Sequence, residues 1–301
     1  MQTDLLVIVL SYNTKDITDE CLFRLKKAKV LAEDKLKAQI EVIVLDNASE
    51  DRSWEMLEKK HSWAKLVKSK TNTGFSGGNN LVMKQAKGDF ILLLNSDAFV
   101  EEETLYKSLK FFEENPEADV LGCQLHFKDG RLQPSAGYLP TPLNTCLWIS
   151  GLSLLGLDLH PYHPKDPNFF TKVRQVEWVM GAFMMLKRQV YEKTGGFDET
   201  IFMYGEEIEW CKRIKNKGFK TFYNPEFAIT HLDKASSKFL LEKPLLNEFK
   251  GIKRYFKQHY KSEWPVVKLV IQLSLILRVG VFGVLGDKVR VKAYLEGLRV
   301  V

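Results

Sequence analysis

The sequence lacks most features that would identify a cofactor or an anchor at a glance. Its four cysteines, Cys21, Cys123, Cys146 and Cys211, are scattered through 301 residues with no C-x-x-C pair. That spacing argues against a zinc site and a disulfide framework, and fits a reducing compartment. Neither the dinucleotide fingerprint G-x-G-x-x-G nor the P-loop G-x-x-x-x-G-K-S is present. A spanning helix needs about 20 mostly apolar residues, and the one apolar segment of that length, 265–286, is broken by charges. The longest uncharged stretch of the apolar C-terminal part, Leu269 to Leu277, is nine residues. The run Leu5 to Leu10 is six residues, follows Asp4 and has no basic segment before it. It reads as a first strand, not a signal peptide. Internal repeats and low-complexity segments are also missing.

What remains is an ordinary globular composition, 45% hydrophobic and 27% charged. A chain of this length holds one large α/β domain or two modest ones. The net charge of +6 suits anionic ligands or an anionic membrane surface and proves neither. No nucleic-acid partner is expected.

The first half alternates strand and helix. Leu5–Leu10, Glu41–Leu45, Ala64–Lys68, Phe90–Leu94 and Asp119–Leu125 read as strands, Ala64–Lys68 at an edge. Helices are expected over about 16–38, 51–60 (Trp54 and Leu57 inward), 79–86 and 101–114. This alternation predicts a mainly parallel sheet covered by helices, with ligands outside the carboxyl ends of the strands. Residues 127–172 show little periodicity and read as a long excursion near an acceptor. Strand character returns over 176–186, a short helix over 187–194, a helix over 206–217, and a strand pair ending at His231. Residues 265–286 are apolar yet carry Lys268, Gln272 and Arg278, after the basic, aromatic "FKGIKRYFKQHYKSEW". That pattern reads as helices in a membrane interface. A hairpin packed on the core or on another subunit, as in a homodimer, is one alternative, and a true membrane span, weighed against the insertion cost of the charges, is the other.

Polar clusters fall at successive strand ends: Ser11-Tyr12-Asn13, Asp46-Asn47-Ala48-Ser49, and Asn95-Ser96-Asp97, joined by "NTGFSGGNN" over 72–80. Each alone is ordinary turn chemistry. Together on the ligand edge of one sheet they point to a site. The glycine-rich stretch opens a helix, whose N-terminus favours an anion; a packing role for Gly77 and Gly78 is equally consistent. Asp97 ends a buried strand, where a carboxylate is costly unless paired or metal-bound. It reads either as a helix cap or as a ligand for Mg²⁺ or Mn²⁺. Glu206, Glu207 and Glu209 open a helix, with Glu207 bordering its buried stripe and Glu209 expected in solvent. His231 ends a strand, followed by Ser236 and Ser237.

In order, "VIVLSYN", "VIVLDNAS", "NTGFSGGNN", "LLLNSD", "GAFMMLKRQVYEKTGGFDE", "FMYGEEIEWCKRIKNKG" and "ITH" give a chain that resembles the family 2 glycosyltransferases of the GT-A fold, in the bacterial rhamnosyltransferase-like branch. The resemblance covers about residues 4–237. It implies a catalytic domain over about 1–240, with a nucleotide-sugar half to about 125 and an acceptor and base half over 126–240. A helical region over 241–301 is expected to follow, membrane-associated on its composition and not on the resemblance, with the enzyme expected at the cytoplasmic face of the membrane. The resemblance further implies a nucleotide-diphosphate sugar donor, with dTDP-L-rhamnose the leading guess and UDP- or GDP-sugars open. A divalent metal and a lipid-linked or cell-surface glycan acceptor complete the set. Carried over by position, Ser11, Tyr12, Asn13, Asp46 and Asn47 line the nucleotide pocket. Gly74, Phe75, Gly77, Gly78 and Asn79 flank the donor with Asn95 and Ser96. Asp97 keeps the last carboxylate of the family's D-x-D motif, read here as Asn-Ser-Asp, and His231 joins it at the metal. Glu207 matches the catalytic base, with Glu206 as the competing choice. Gly181, Gly196, Phe197, Asp198 and Glu206 shape the acceptor side.

Two other classes fit less well. A nucleotidyltransferase needs a basic glycine-rich loop after the first strand, where this chain has "SYNTKD". A non-catalytic sugar- or membrane-interaction module would explain the missing first D-x-D carboxylate, but Asp97 and Glu207 are intact.

Overall fold

The computed structural model describes residues 4–152, 162, 164, 166–232 and 242–301. Its centre is a ten-stranded mixed sheet. Strands β1 (Asp4–Ser11), β2 (Gln39–Asp46), β3 (Lys65–Lys68) and β4 (Phe90–Asn95) run parallel in the order β3-β2-β1-β4. The sheet continues through β11 (Phe183–Lys187), antiparallel to β4 and to β6 (Val120–His126), then through β12 (Thr221–His231), parallel to β6. The short β5 (Ala98–Val100) closes that edge against β12. β7 (Leu132–Gln133) adds to β6, and β9 (Arg174–Val176) to β12. β8 (Ala136–Gly137) and β10 (Trp178–Val179) form a separate small pair.

The apolar runs at the sheet centre are buried on both faces because both faces carry helices. On β1, Leu6 and Ile8 point to one core while Leu5, Val7 and Val9 point to the other. On β4, Ile91 and Leu93 alternate in the same way with Leu92 and Leu94. Helices α1 (Lys15–Leu36), α2 (Ser53–Lys60) and α4 (Thr104–Glu114) cover the second face. Helices α3 (Gly74–Met83), α6 (Arg188–Thr194) and α7 (Glu206–Asn216) cover the first.

Several local expectations change. Helix α3 starts at Gly74, so the glycines are its first turns and not its approach. In α2, Met56 and Leu57 are the inward apolar residues, while Trp54 is half-buried under Lys68. The final strand pair is one strand, β12, with a register irregularity between Asn224 and Ala228, around Pro225. The stretch 176–186 is interrupted: Val176 ends β9, Trp178–Val179 joins the small pair, and Phe183–Lys187 enters the centre of the large sheet. The aperiodic excursion contains α5 (Pro142–Ser150), capped by the Thr141 side chain, which accepts from Asn144 N–H, with proline at its first position.

The C-terminal helices α8 (Glu242–His259), α9 (Trp264–Val284) and α10 (Lys288–Val300) share the first core. Phe249, Tyr255, Phe256, Trp264, Val267, Ile271 and Leu275 are buried in the cluster that holds Leu6 and Ile8. Tyr255 Oη donates to Pro140 O at 2.9 Å, and Ser274 Oγ to Ile149 O at 2.8 Å. The core therefore runs across the 240/241 boundary.

Candidate active site

Register aligns the strand ends. Ser11 lies opposite Asp46, and Leu10 opposite Asn95, so the polar clusters after β1, β2 and β4 lie side by side. Their side chains do different work. Ser11 is fully buried, and its Oγ bonds Thr18 at 2.9 Å. Thr14, beside it, reaches Ser96 Oγ at 3.1 Å, tying the first and third strand ends together. Asn13 takes a left-handed turn, φ 53°, and its Oδ1 accepts from Glu50 N–H. Tyr12 is half-buried beside it. Asn47 is committed to the glycine-rich stretch: its Nδ2 donates to Asn72 Oδ1 and Gly74 O, and its Oδ1 accepts from Thr73. Asp46 differs from all of these. It has no exposed surface, and neither carboxylate oxygen has a hydrogen-bond partner. An unmatched buried carboxylate is costly, and its natural complement is a ligand N–H.

The helix α3 opens at Gly74, φ +72°, in a conformation that disfavours a side chain. A Cβ there would also strike the Phe202 carbonyl, which accepts from Phe75 N–H at 3.0 Å. Gly78 packs its backbone on Leu10 and Leu45, and a Cβ on Gly77 would press on Thr73, so both serve close packing. The buried Asn79 returns its amide to Phe75 O. Phe75 stacks on Phe197, and Phe197 on Trp210. Gly181 lies against the Phe75 ring, and Gly196 against Asn80, where no Cβ fits. Asn80 brackets Phe197, accepting from its N–H and donating to its carbonyl. Asp198 accepts from Thr200 and from Arg254 of α8.

Asp97 is not a helix cap, because β5 follows it and α4 begins only at Thr104. The β5–β12 pairing sets His231 against Ala98 and so brings its ring to Asp97, with Nε2 3.3 Å from Oδ1. Asn95 Nδ2 lies 3.4 Å from the same nitrogen. On the other side of the ring, Gln133 Oε1 lies 3.1 Å from Nδ1, placed to accept a proton carried there. This is the outer-shell arrangement that orients a metal-binding imidazole. Among the described residues no three His, Cys, Asp or Glu side chains converge. Two ligands fit a hard cation whose remaining positions are taken by substrate phosphates and water. Ser236 and Ser237 lie outside the described residues.

Helix α7 carries three glutamates in three environments. Glu206 is buried with one carboxyl oxygen unpartnered. Burial, and then the charge of Glu207, push it well above the ordinary carboxylate range. Burial also raises Glu207, so both carboxyls of the pair are held above the ordinary carboxylate range. Glu207 lines a cavity of about 490 Å³ with Gln133, Trp148, Tyr204, Tyr255 and Phe256. Glu209, expected in solvent, is fully buried. Burial alone would raise it, but hydrogen bonds from His259 and Arg213 hold it below its usual value. Arg213 also donates to Thr194 O and Gly196 O, fixing the acceptor-side loop to α7.

Sequence reasoning missed Gln133, Asn80 and the aromatic wall from α8. Gln133 sits in the aperiodic stretch, and nothing local marks it. Asn80 closes the motif "NTGFSGGNN" and was within reach of the pattern.

Comparison with known proteins places this geometry. The model of "Glycosyl transferase family 2" matches residues 6–209. The chain is 24% identical over 212 residues to N-acetylglucosaminyl-diphospho-decaprenol L-rhamnosyltransferase of Mycobacterium tuberculosis, covering 64% of this chain and 66% of that protein. It is 27% identical over 209 residues to the O-antigen biosynthesis protein RfbC of Myxococcus xanthus, 65% of this chain but only 15% of the relative. Rhamnosyltransferase WbbL of Escherichia coli is 25% identical over 60% of this chain and 69% of its own length. In fold, the chain superposes on a mannosyltransferase from Pyrobaculum calidifontis solved with GDP-Man and Mn²⁺. The TM-score is 0.59 at 16% identity, over all of this chain and 87% of that one. The sheet and the family match agree: the chain, which spans less than two thirds of the length of the first of these relatives, belongs to glycosyl transferase family 2 and has the GT-A fold.

Proposed function

We propose that the chain is an inverting glycosyltransferase that moves a sugar, with dTDP-L-rhamnose as the leading donor, to a hydroxyl of a lipid-linked or cell-surface glycan. One observation carries this reading. The cavity lined by Glu207 is also lined by Gln133, the side chain that holds His231 beside Asp97. Glu207 thus borders a space whose wall, at Gln133, touches the His231–Asp97 pair. The relatives named rhamnosyltransferase support the sugar, and the mycobacterial relative's name supports a lipid-diphosphate acceptor.

In this reading Asp46 accepts an N–H of the donor's base, the complement its carboxylate lacks. The N-terminus of α3 favours the diphosphate. Asp97 and His231 would hold Mg²⁺ or Mn²⁺, which supplies neutralisation of the leaving diphosphate's charge. Glu207 takes the proton of the acceptor hydroxyl as that oxygen forms its bond to the anomeric carbon. The bond from that carbon to the diphosphate oxygen breaks on the opposite face, and the configuration inverts.

The test is a thermal-shift screen of dTDP-, UDP- and GDP-sugars with and without Mn²⁺, paired with a transfer assay. A donor that binds the folded chain raises its melting temperature. The expected pattern is a Mn²⁺-dependent shift, largest with dTDP-L-rhamnose, lost in Asp97→Ala and kept in Glu207→Gln. Transfer in Glu207→Gln should fall about 10²–10⁴-fold. Full transfer by that variant removes Glu207 as the base.

A further inference from the structure

Helix α9 has two apolar faces, and the fold uses one. Trp264, Val267, Ile271 and Leu275 are buried against the body. On the opposite side Val266, Leu269, Leu273, Ile276, Leu277, Val281 and Val284 recur every three or four residues. All are about half exposed or more, with Val284 at 91%. At 1.5 Å per residue this stripe runs along a helix about 31 Å long. Leu285 and Val289 extend it, and Leu143, Trp148 and Leu152, on and just after α5, which packs on α9, carry further exposed apolar surface. Contiguous apolar surface of this extent marks an interaction site.

We infer that this face docks on an anionic lipid bilayer, with α9 lying in the interface plane. The charge distribution selects the occupant. Residues 264–301 carry six Lys and Arg against two acids, four of the chain's six net positive charges. No acid occurs from Trp264 to Gly286. An exposed apolar stripe on a segment with this cationic excess matches acyl chains and acidic headgroups. A second copy would bring the same positive field against itself. A span is disfavoured although the helix is long and apolar enough by composition. Its buried face is pinned to the domain, and Arg278 donates to Ile149 O beneath it.

The placement matters for the reaction, and in this respect the inference rests on the transfer reading. Helix α5 carries the exposed Leu143 and Trp148, while its Asn144, Thr145 and Trp148 line the cavity of Glu207. Helix α5, packed on α9, therefore links the docking helix to the acceptor cavity. That suits an acceptor held in the membrane by its lipid.

The experiment is co-sedimentation of the full chain with vesicles of phosphatidylcholine alone and of phosphatidylcholine with phosphatidylglycerol. Binding to the anionic vesicles should be at least tenfold tighter and should weaken with salt. The combined change Leu273→Glu, Ile276→Glu and Leu277→Glu should reduce it at least tenfold. These side chains are exposed, so the melting temperature and the nucleotide-sugar shift should be unchanged. Val284→Glu, at the open end of the helix, provides a milder variant if the triple change unfolds the chain, and it should weaken binding in the same direction. Absence of vesicle binding overturns the inference, as does unchanged binding by a folded variant. So does a solution dimer that the glutamates dissociate in a chain that ignores vesicles. Vesicle binding without any nucleotide-sugar shift would instead sink the transfer reading and leave this one standing.

Discussion

Asp46 has no exposed surface and no partner for either oxygen, at the end of a strand whose neighbours are all satisfied. Stability would be better served by an apolar or neutral residue there, so the carboxylate is retained against the fold's interest. Asp46→Asn should therefore raise the melting temperature while weakening donor binding about 10–100-fold, the worth of a charge-assisted hydrogen bond. Parallel thermal melts and nucleotide titrations check this. A variant that loses stability and keeps donor affinity would assign Asp46 a purely structural role. Its position was legible in the sequence because a strand period fixes where β2 ends. The division of labour among its neighbours was not. Asn13, Asn47, Asn79 and Asp46 are all turn-type residues, and only the packed partners separate scaffold from free carboxylate.

At the scale of elements, Glu207, the proposed base, is held by the contact between α7 and α8. The approach to α7 passes through Tyr204, φ 73°, and Gly205, φ 94°, and packs directly on Gly251 of α8. A Cβ on Gly251 would stand 2.6 Å from the Tyr204 carbonyl. In an open helix Gly→Ala gains about 1 kcal/mol. Here the clash with backbone outweighs that gain, and Gly251→Ala should cost about 1–3 kcal/mol. Because the displaced atoms precede Glu207, transfer should fall more than donor binding does. Denaturant melts and a comparison of donor affinity with turnover check both parts. The pairing of α8 with α7, through Glu209, His259 and Gln258, was invisible in sequence. Glu209 looked solvated because a first-turn glutamate usually is. It is buried because a helix some 50 residues later brings a histidine to it.

At the scale of the whole molecule, the buried glutamates give stability a pH dependence. Glu206 and Glu207 titrate above their ordinary value near 4.3, so above that pH the folded chain binds more protons than the unfolded one. Stability therefore falls as pH rises through their folded values. Glu209 is the opposite case, its contribution present at neutral pH and lost only as pH falls below the carboxylate range. Replacing Glu206 by Gln removes most of the first effect. The melting temperature of Glu206→Gln minus that of the wild type should grow as pH rises from 5 to 8, and a constant difference would refute the assignment. The sequence by itself determined the sheet, its helical cover and the four polar strand ends, because strand and helix periods are local and strand ends in a parallel sheet share one edge. Tertiary structure decided which of those polar groups stay unpartnered, that Gln133 holds His231 beside Asp97, and that the C-terminal helices wall the Glu207 cavity. Those outcomes depend on contacts between residues 36 to 136 apart, which no local pattern encodes.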